Sequence, residues 1–189
     1  MKRLYILAGA NGSGKSTISK VLLPTEGIVY VNPADIAREL CPKDPPSVKI
    51  SAGREALRRI NELLETGVSF AIESTLSGFG YVGVIQRAKS LGYEVMLAYV
   101  FVDSADFCLE RIRVRVLGGG HDVPADDVRR RYNRSKVNFL SVYMPLANHW
   151  MLYYNGGNDL LLVAHGNGSV NVIMQDRYDT FKGDLCLKS

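Results

Sequence analysis

The fold of this chain is decided by Leu4-Tyr5-Ile6-Leu7-Ala8-Gly9-Ala10-Asn11-Gly12-Ser13-Gly14-Lys15-Ser16-Thr17. An apolar run typical of a buried strand passes into a glycine-rich loop, and the residues after Thr17 predict a helix. The loop fits the pattern G-x-x-x-x-G-K-[ST], in the strand, loop and helix context that this phosphate-binding motif requires. The sequence therefore predicts a nucleotide site near the start of the chain.

The predicted nucleotide-binding residues are the nine residues of this loop: Gly9, Ala10, Asn11, Gly12, Ser13, Gly14, Lys15, Ser16 and Thr17. Successive backbone N–H groups must wrap a polyphosphate, so glycine is needed wherever a Cβ would clash, and the positive end of the following helix adds to the attraction. We expect Lys15 to reach the β- and γ-phosphates of ATP and the Ser16 hydroxyl to ligate Mg²⁺.

Bulk properties limit the class of protein. A chain of 189 residues with 47% hydrophobic content can bury one sizeable core and favours a single domain. The net charge of +4 is modest and the basic residues concentrate between Arg111 and Lys136, which indicates a local anion site and makes nucleic acid an unlikely partner. Cys41, Cys108 and Cys186 lie far apart, which disfavours a disulfide framework or a zinc site and favours a cytoplasmic protein. The chain contains no apolar run of membrane-spanning length, so we expect no membrane association.

Short apolar runs alternate with helical patterns along most of the chain. This alternation predicts an α/β three-layer P-loop fold, with helices on both faces of a parallel sheet. From Trp150 the runs become short and are separated by glycine-rich turns, with Asn167-Gly168 as a hairpin signal, so we expect a small antiparallel C-terminal addition and a short helix. We expect one domain over 1–189, with a lid-like helical region at about 104–143 and a β-rich extension at about 156–189.

Carboxylates follow three of the predicted strands. Ligands of an open parallel sheet bind at the carboxyl ends of its strands, and Asp35 and Glu73 both come just after such an end. We expect Asp35 to be the general base and Glu73 to hold Mg²⁺ or bind the acceptor, with capping of the next segment as the alternative for Glu73. Asp103 is a further candidate for the metal, although the preference for Asp and Ser at helix N-caps favours a capping role.

Arginines flank the segment Gly118-Gly119-Gly120 on both sides: Arg115 before it, and Arg130, Arg131 and Arg134 after it. Guanidinium groups on a mobile segment can neutralise the charge of a transferring phosphoryl group and exclude water. We expect Arg115, Arg130 and Arg134 to clamp the transition state, with solvated helix faces as the alternative. A lone His in a glycine-rich loop is more often a bracing residue than a catalyst, so His121 receives no catalytic assignment.

Four segments together resemble the small bacterial zeta-toxin-like P-loop proteins. They are the loop Gly9 to Thr17, the strand end Asn32 with Ile36-Ala37, Phe70 to Ser77, and Gly119 to Pro124 with Arg130-Arg131-Tyr132. The similarity runs in order over residues 2–154. The resemblance implies an ATP-dependent kinase, and some members of the family have an antitoxin protein as partner. Zeta toxins proper phosphorylate the sugar of UDP-N-acetylglucosamine.

The chain departs from the family pattern at two places. Relatives usually carry Asn-x-Asp-x-Ile-Ala after the second strand, whereas this chain has Asn32-Pro33-Ala34-Asp35-Ile36-Ala37, which displaces the carboxylate by one residue. One step along a helix rotates a side chain by about 100°. The second departure includes Tyr154-Asn155-Gly156, where relatives tend to have Asp-Asn-Ser, and we expect this segment to lie farther from the chemistry.

The predicted function is transfer of a phosphoryl group from ATP, with Mg²⁺, to a hydroxyl of a small acceptor such as a nucleotide-sugar. The predicted catalytic residues are Lys15, Asp35, Glu73, Arg115, Arg130 and Arg134, and the predicted metal ligands are Ser16 and Glu73. A nucleotide-binding module that acts by association is one alternative, because Ala34 stands where relatives carry the acid. A kinase of nucleic-acid 5′-hydroxyl ends is another, suggested by a pI near 9.0, and hydrolysis of ATP alone is a lesser one.

Overall fold

A seven-stranded sheet lies at the centre of the molecule. The computed structural model describes residues 1–23, 27–120 and 122–186. The strands are β1 (Arg3–Ala8), β2 (Val29–Val31), β3 (Phe70–Ser74), β4 (Glu94–Phe101), β5 (His149–Tyr154), β6 (Leu161–Gly166) and β7 (Val170–Val172). Their order is β2-β3-β1-β4-β5-β6-β7, with β1 to β5 parallel and β6 and β7 antiparallel. The predicted α/β fold with an antiparallel C-terminal addition is confirmed.

Helices connect the parallel strands, because a parallel pair needs a crossover connection. They are α1 (Lys15–Leu22), α2 (Pro33–Leu40), α3 (Lys49–Thr66), α4 (Val82–Ser90), α5 (Ala105–Leu117), α6 (Ala125–Asn138), α7 (Met144–Leu146) and α8 (Gln175–Cys186). A 3₁₀ turn, Pro45–Val48, precedes α3, and a π-helical segment, Phe139–Tyr143, joins α6 to α7. None of the helices within the described residues combines the length and the apolar character needed to cross a membrane.

The position of β1 in the middle of the sheet explains why its sequence reads as a continuous apolar run. It pairs with β3 on one side and β4 on the other. Ile6 packs in the large core that includes Ile60 of α3, whereas Leu7 packs on the opposite face with Ile18 of α1. A strand that is buried on both faces has no place for polar residues. The loop after Ala8 therefore emerges at the centre of the carboxyl edge of the sheet.

Helices α5 and α6 form an antiparallel pair next to this edge. The two helices share a core of their own that includes Cys108 and Ile112 of α5 and Val128 and Tyr132 of α6. The Tyr132 hydroxyl also donates to the carbonyl of Val102 at 2.6 Å, which attaches the pair to the end of β4.

The C-terminal half of α6, with the π-helical segment after it, is fixed to the loop that follows β3. Three side chains contribute hydroxyl or amide donors to three carbonyls of that loop, in the pairs Ser135 to Thr75, Asn138 to Leu76 and Tyr143 to Gly78. Leu76 has a φ of 52°, in the left-handed region that leucine rarely adopts. Part of the region that we expected to be a lid is thus an anchored support of the site.

Candidate active site

The loop between β1 and α1 contains positive φ angles, a backbone conformation that favours glycine. Gly12 and Gly14 have φ values of 84° and 100°. A Cβ on Gly12 would also lie 2.5 Å from the carbonyl oxygen of Cys108 in α5. Gly14 is the N-cap of α1, whose first turn contains no acidic residue, so the N–H groups of that turn are suited to phosphate oxygens. This geometry fits the predicted phosphate cradle.

Lys15 lies buried at the base of the loop. Its Nζ donates to the carbonyls of Gly9 and Ala10, each at 3.0 Å, and lies 3.7 Å from Oε1 of Glu73. Burial lowers the pKa of Lys15, and the negative charge of Glu73 opposes this shift. The lysine is therefore held against the backbone of its own loop, with a carboxylate beside it.

Glu73 stands at the end of β3, next to β1 through the register pair Leu7 and Glu73. Its Oε2 accepts a hydrogen bond of 2.6 Å from the hydroxyl of Tyr30 in β2. Burial, and then the charge of Glu73, raises the pKa of Tyr30 far above its usual value, so the phenol remains a proton donor. The capping alternative for Glu73 is not seen, because the N–H of Leu76 is bonded to the Ser74 hydroxyl instead, at 3.0 Å.

A cavity of 560 Å³ opens beside Lys15. The phosphate loop, the end of β3, the start of α2 and the first half of α6 all contribute to its lining, which includes Asn11, Glu73, Ala34 and Arg131. Pro46 and Tyr81 provide apolar surface elsewhere in the cavity. A concave site of this size, lined by both charged and apolar side chains, is suited to a small molecule.

Asp35 does not face this cavity. The described lining includes Ala34 and not Asp35, whose Oδ1 accepts from Arg38 at 2.5 Å. Asp35 instead lines a second cavity, of 270 Å³, beside the edge strand β2. The displacement by one residue along α2 explains this, because it rotates the side chain by about 100°. The geometry does not support our expectation that Asp35 is the general base.

Two of the lid arginines lie close to the phosphate loop. Arg115 is partly buried and is not among the described residues that line the cavity, but it is close enough to Lys15 for its charge to add to the effect of burial in lowering the pKa of that lysine. Arg131 lines the cavity, with one guanidinium nitrogen 3.4 Å from Oδ1 of Asn11 and the other 3.4 Å from Oδ2 of Asp127.

The other two arginines point elsewhere. Arg130 is exposed and bonded to Asp127 at 2.5 Å, and Arg134 is exposed. Neither arginine is among the described residues that line the cavity. Arg131 was one of the arginines noted after the glycine segment, but it was not among the predicted catalytic residues. Its spacing of three residues from the inward-facing Val128 is the sequence signal that identifies the correct face of α6.

Asn155 is a residue of the site that the sequence did not reveal. It follows β5 and is 8% exposed. Its Nδ2 donates to the carbonyl of Ser13 at 2.8 Å, and Nη1 of Arg111 lies 3.5 Å from the same oxygen. A Cβ on Gly14 would lie 1.9 Å from Nδ2 of Asn155. The segment that we expected to lie away from the chemistry therefore supports the phosphate loop directly.

Asp103 neither caps α5 nor faces the cavity. Ser104 is the cap, since its hydroxyl accepts from the N–H of Phe107 at 3.1 Å. Asp103 accepts from the Tyr154 hydroxyl at 2.5 Å and from Arg177 at 3.2 Å. His121, which received no catalytic assignment from its sequence context, lies outside the described residues.

The residues beside Lys15 fit the limited demands of Mg²⁺. Within the part of the chain that the structure describes, His, Cys, Asp and Glu side chains form no group of three that could hold a metal. Magnesium usually needs only one or two protein oxygens, because waters and substrate phosphates supply the rest. The exposed hydroxyl residue Ser16 and the carboxylate of Glu73 are both neighbours of Lys15, one next to it in sequence and the other 3.7 Å away in space.

Strand order, glycine-rich loop and buried lysine together define a P-loop kinase fold. The family model described as Zeta toxin matches residues 1–161, and the chain belongs to this family. An uncharacterised protein of Haemophilus influenzae is 36% identical over 138 residues, which are 69% of this chain and 98% of that protein. The predicted family is thus confirmed.

Two solved structures show the same fold at low sequence identity. The AvrRxo1-ORF1:-ORF2 complex with ATP has a TM-score of 0.78 and 19% identity, covering 96% of this chain. The chain spans 63% of the length of that protein. A structure of the PezAT chromosomal toxin-antitoxin system of Streptococcus pneumoniae has a TM-score of 0.68 and 17% identity, covering 98% of this chain and 84% of the other. Both likenesses concern the fold alone.

Proposed function

We propose that the protein is an ATP- and Mg²⁺-dependent phosphotransferase that transfers the γ-phosphoryl group to a hydroxyl of a small acceptor. The family and the P-loop kinase fold support a kinase-type enzyme. The single observation that carries the proposal is the cavity of 560 Å³, because it joins Lys15 of the phosphate loop to a space of small-molecule size. In the reaction, the acceptor oxygen bonds to the γ-phosphorus, the bond to the β–γ bridging oxygen breaks, and ADP leaves.

Each group near Lys15 has a distinct role in this proposal. Lys15 and the loop N–H groups bind the β- and γ-phosphates. Arg115 and Arg131 neutralise the charge on the equatorial oxygens of the transferring group, which replaces the predicted set of Arg115, Arg130 and Arg134. Bound Mg²⁺ supplies further charge neutralisation.

The proton of the acceptor hydroxyl passes to Glu73 in this proposal. Asp122 and Asp127 are the other carboxylates of the described cavity lining. Asp127 is already bonded to Arg130 and Arg131. Asp122 is exposed and accepts from the N–H of Val123 at 2.7 Å, whereas Glu73 lies beside Lys15. Metal ligation lowers the basicity of a carboxylate, so the proposal assigns the proton to Glu73 and the direct protein ligand of Mg²⁺ to Ser16. The transition state of phosphoryl transfer is loose, which makes a strong base unnecessary.

The test is a transfer assay with labelled ATP, Mg²⁺ and a panel of nucleotide-sugars, nucleosides and 5′-hydroxyl oligonucleotides. We expect one acceptor class to accelerate turnover and Lys15→Ala to abolish it. Arg131→Ala should lower turnover by about 100-fold, as the loss of a group that stabilises transition-state charge does. Arg134→Ala, on the same helix but exposed, is the matched control and should remain near the wild-type rate, as should Asp35→Asn. A panel in which no acceptor exceeds the Lys15→Ala background would refute the proposal.

A nucleotide-binding module is the second candidate function. The observation that favours it is Ala34 in the lining of the cavity, where relatives usually carry an acid. Tight binding of ATP without transfer to any acceptor would support this candidate. The oligonucleotide arm of the panel addresses the third possibility, since binding of nucleic acid would weaken steeply with salt.

An antitoxin-type protein partner is also part of the proposal. The PezAT structure belongs to a toxin-antitoxin system, which supports such a partner. We expect induced expression of the wild-type chain to arrest bacterial growth and Lys15→Ala to relieve the arrest. Equal growth of the two strains would argue against a toxin activity that needs neutralisation.

A further inference from the structure

We propose that Tyr30 is a positioning residue for Glu73. Its hydroxyl binds one oxygen of the Glu73 carboxylate, and this contact keeps the other oxygen turned toward Lys15. The inference rests on the proposed function, because it concerns the carboxylate that this function uses. Tyr30 belongs to the edge strand β2, and no sequence motif points to it.

The hydrogen bonding of Glu73 is divided between its two oxygens. Oε2 accepts from the Tyr30 hydroxyl at 2.6 Å, a distance typical of a bond to a charged acceptor. Oε1 lies 3.7 Å from Nζ of Lys15, which is too long for a hydrogen bond. Among the residues that the structure describes, the Tyr30 hydroxyl is the one donor within 3.5 Å of this carboxylate, and Lys15 interacts with it from a longer distance.

Lys15 constrains Glu73 less tightly than Tyr30 does, because its Nζ lies 3.7 Å from the carboxylate and only its third N–H is free to turn toward it. Its Nζ already donates to the carbonyls of Gly9 and Ala10. Tyr30 is better suited, because its ring is partly buried against the core cluster that contains Leu7 and Ile18. A glutamate has three side-chain torsions and a tyrosine has two, so the packed phenol is the more rigid member of the pair.

Loss of the phenol hydroxyl has a specific consequence in this geometry. Oε2 of Glu73 would lose its donor, and the nearest cation is the ammonium group of Lys15. The carboxylate would then close on Lys15 and form a direct ion pair. The phosphates of a nucleotide need the same ammonium group, so binding of the nucleotide would weaken.

The test compares Tyr30→Phe with Tyr153→Phe. Tyr153 packs in the same core cluster, and within the described part of the chain its hydroxyl donates only to the sulfur of Met151, at 3.6 Å. Calorimetric titration with Mg²⁺ and a non-hydrolysable ATP analogue should give about tenfold weaker binding for Tyr30→Phe and less than about a twofold change for Tyr153→Phe. In a Glu73→Gln background, addition of Tyr30→Phe should change the affinity by less than about twofold, because no carboxylate is left to position.

Two results would overturn the role of Tyr30. One is equal affinity of Tyr30→Phe and Tyr153→Phe, and the other is a full effect of Tyr30→Phe that persists in the Glu73→Gln background. The proposed function fails in a different measurement, the transfer assay. A protein that binds the analogue but transfers to no acceptor would refute the function, while the binding comparison would still decide on Tyr30.

Discussion

Asn155 provides the sharpest test of how the phosphate loop is supported. The side chain is 8% exposed and meets the loop through one hydrogen bond, from Nδ2 to the Ser13 carbonyl at 2.8 Å. Asn155→Ala removes this donor and leaves the carbonyl with Arg111 at 3.5 Å, the outer limit of a hydrogen bond. Asn155→Asp places carboxylate oxygens against the carbonyl oxygen.

The expected cost follows from these contacts. A buried acceptor that loses its partner costs about 1–3 kcal/mol, so we expect Asn155→Ala to lower the free energy of unfolding by about 2 kcal/mol. In a chain of this size, that corresponds to a fall in melting temperature of about 4–8 °C. Asn155→Asp should cost more, because it adds repulsion between oxygens to the lost bond. Displacement of the loop should also weaken nucleotide binding by about tenfold, which corresponds to a loss of about 1.4 kcal/mol of binding free energy.

The assay is urea unfolding at fixed pH, followed by calorimetric titration with an ATP analogue. Asn158→Ala is the matched control, because Asn158 lies in the same turn but is exposed. If Asn155→Ala and Asn158→Ala unfold at the same urea concentration and bind the analogue equally, the support of the loop by Asn155 is refuted.

Three further predictions concern other parts of the molecule. Gly12→Ala should abolish nucleotide binding, because its Cβ would lie 2.5 Å from the Cys108 carbonyl oxygen. Gly119→Ala is the control, because Gly119 has the same φ of 84° but lies in open space. This control should lower the free energy of unfolding by only about 1 kcal/mol, measured in an unfolding titration. Burial raises the pKa of Cys108 to about 11, against about 8.5 in the unfolded chain. The folded state therefore retains the thiol proton more strongly, and the free energy of unfolding should fall as the pH rises between these two values. Unfolding measured at pH 8 and pH 10 should show this fall, Cys108→Ala should reduce it, and an unreduced fall would exclude Cys108 as its source. Asn138→Ala should lower the free energy of unfolding by about 1–3 kcal/mol, since its buried amide donates to the Leu76 carbonyl at 2.8 Å, and equal stability of the exposed control Asn133→Ala would contradict this.

The elements of the fold were predictable because their patterns are local. The apolar run of β1 and the glycine spacing after it are contiguous in sequence, and the helices carry periodic apolar positions. The separate cluster between α5 and α6 depends on tertiary packing, which periodicity indicates only in part.

The candidate site was predicted best where a residue belongs to a strand or to the glycine loop itself. Lys15 and Glu73 lie together because β1 and β3 are neighbours in the sheet. Asp35 is not tied in this way, because a position on a helix turns with every residue, and a shift of one step moves the carboxylate to another cavity. Asn155 had no local signal, because its contact with Ser13 joins residues 142 positions apart in the chain.

The three hydrogen bonds from α6 and the π-helical segment all end on backbone carbonyls of the loop after β3. Every amino acid provides such a carbonyl, so the path of this loop does not depend on the identity of most of its side chains. Ser77 lies in this loop and lines the cavity. Substitutions at this position can therefore accumulate during evolution, or be made by design, and change the lining of the cavity while the backbone that presents them stays in place.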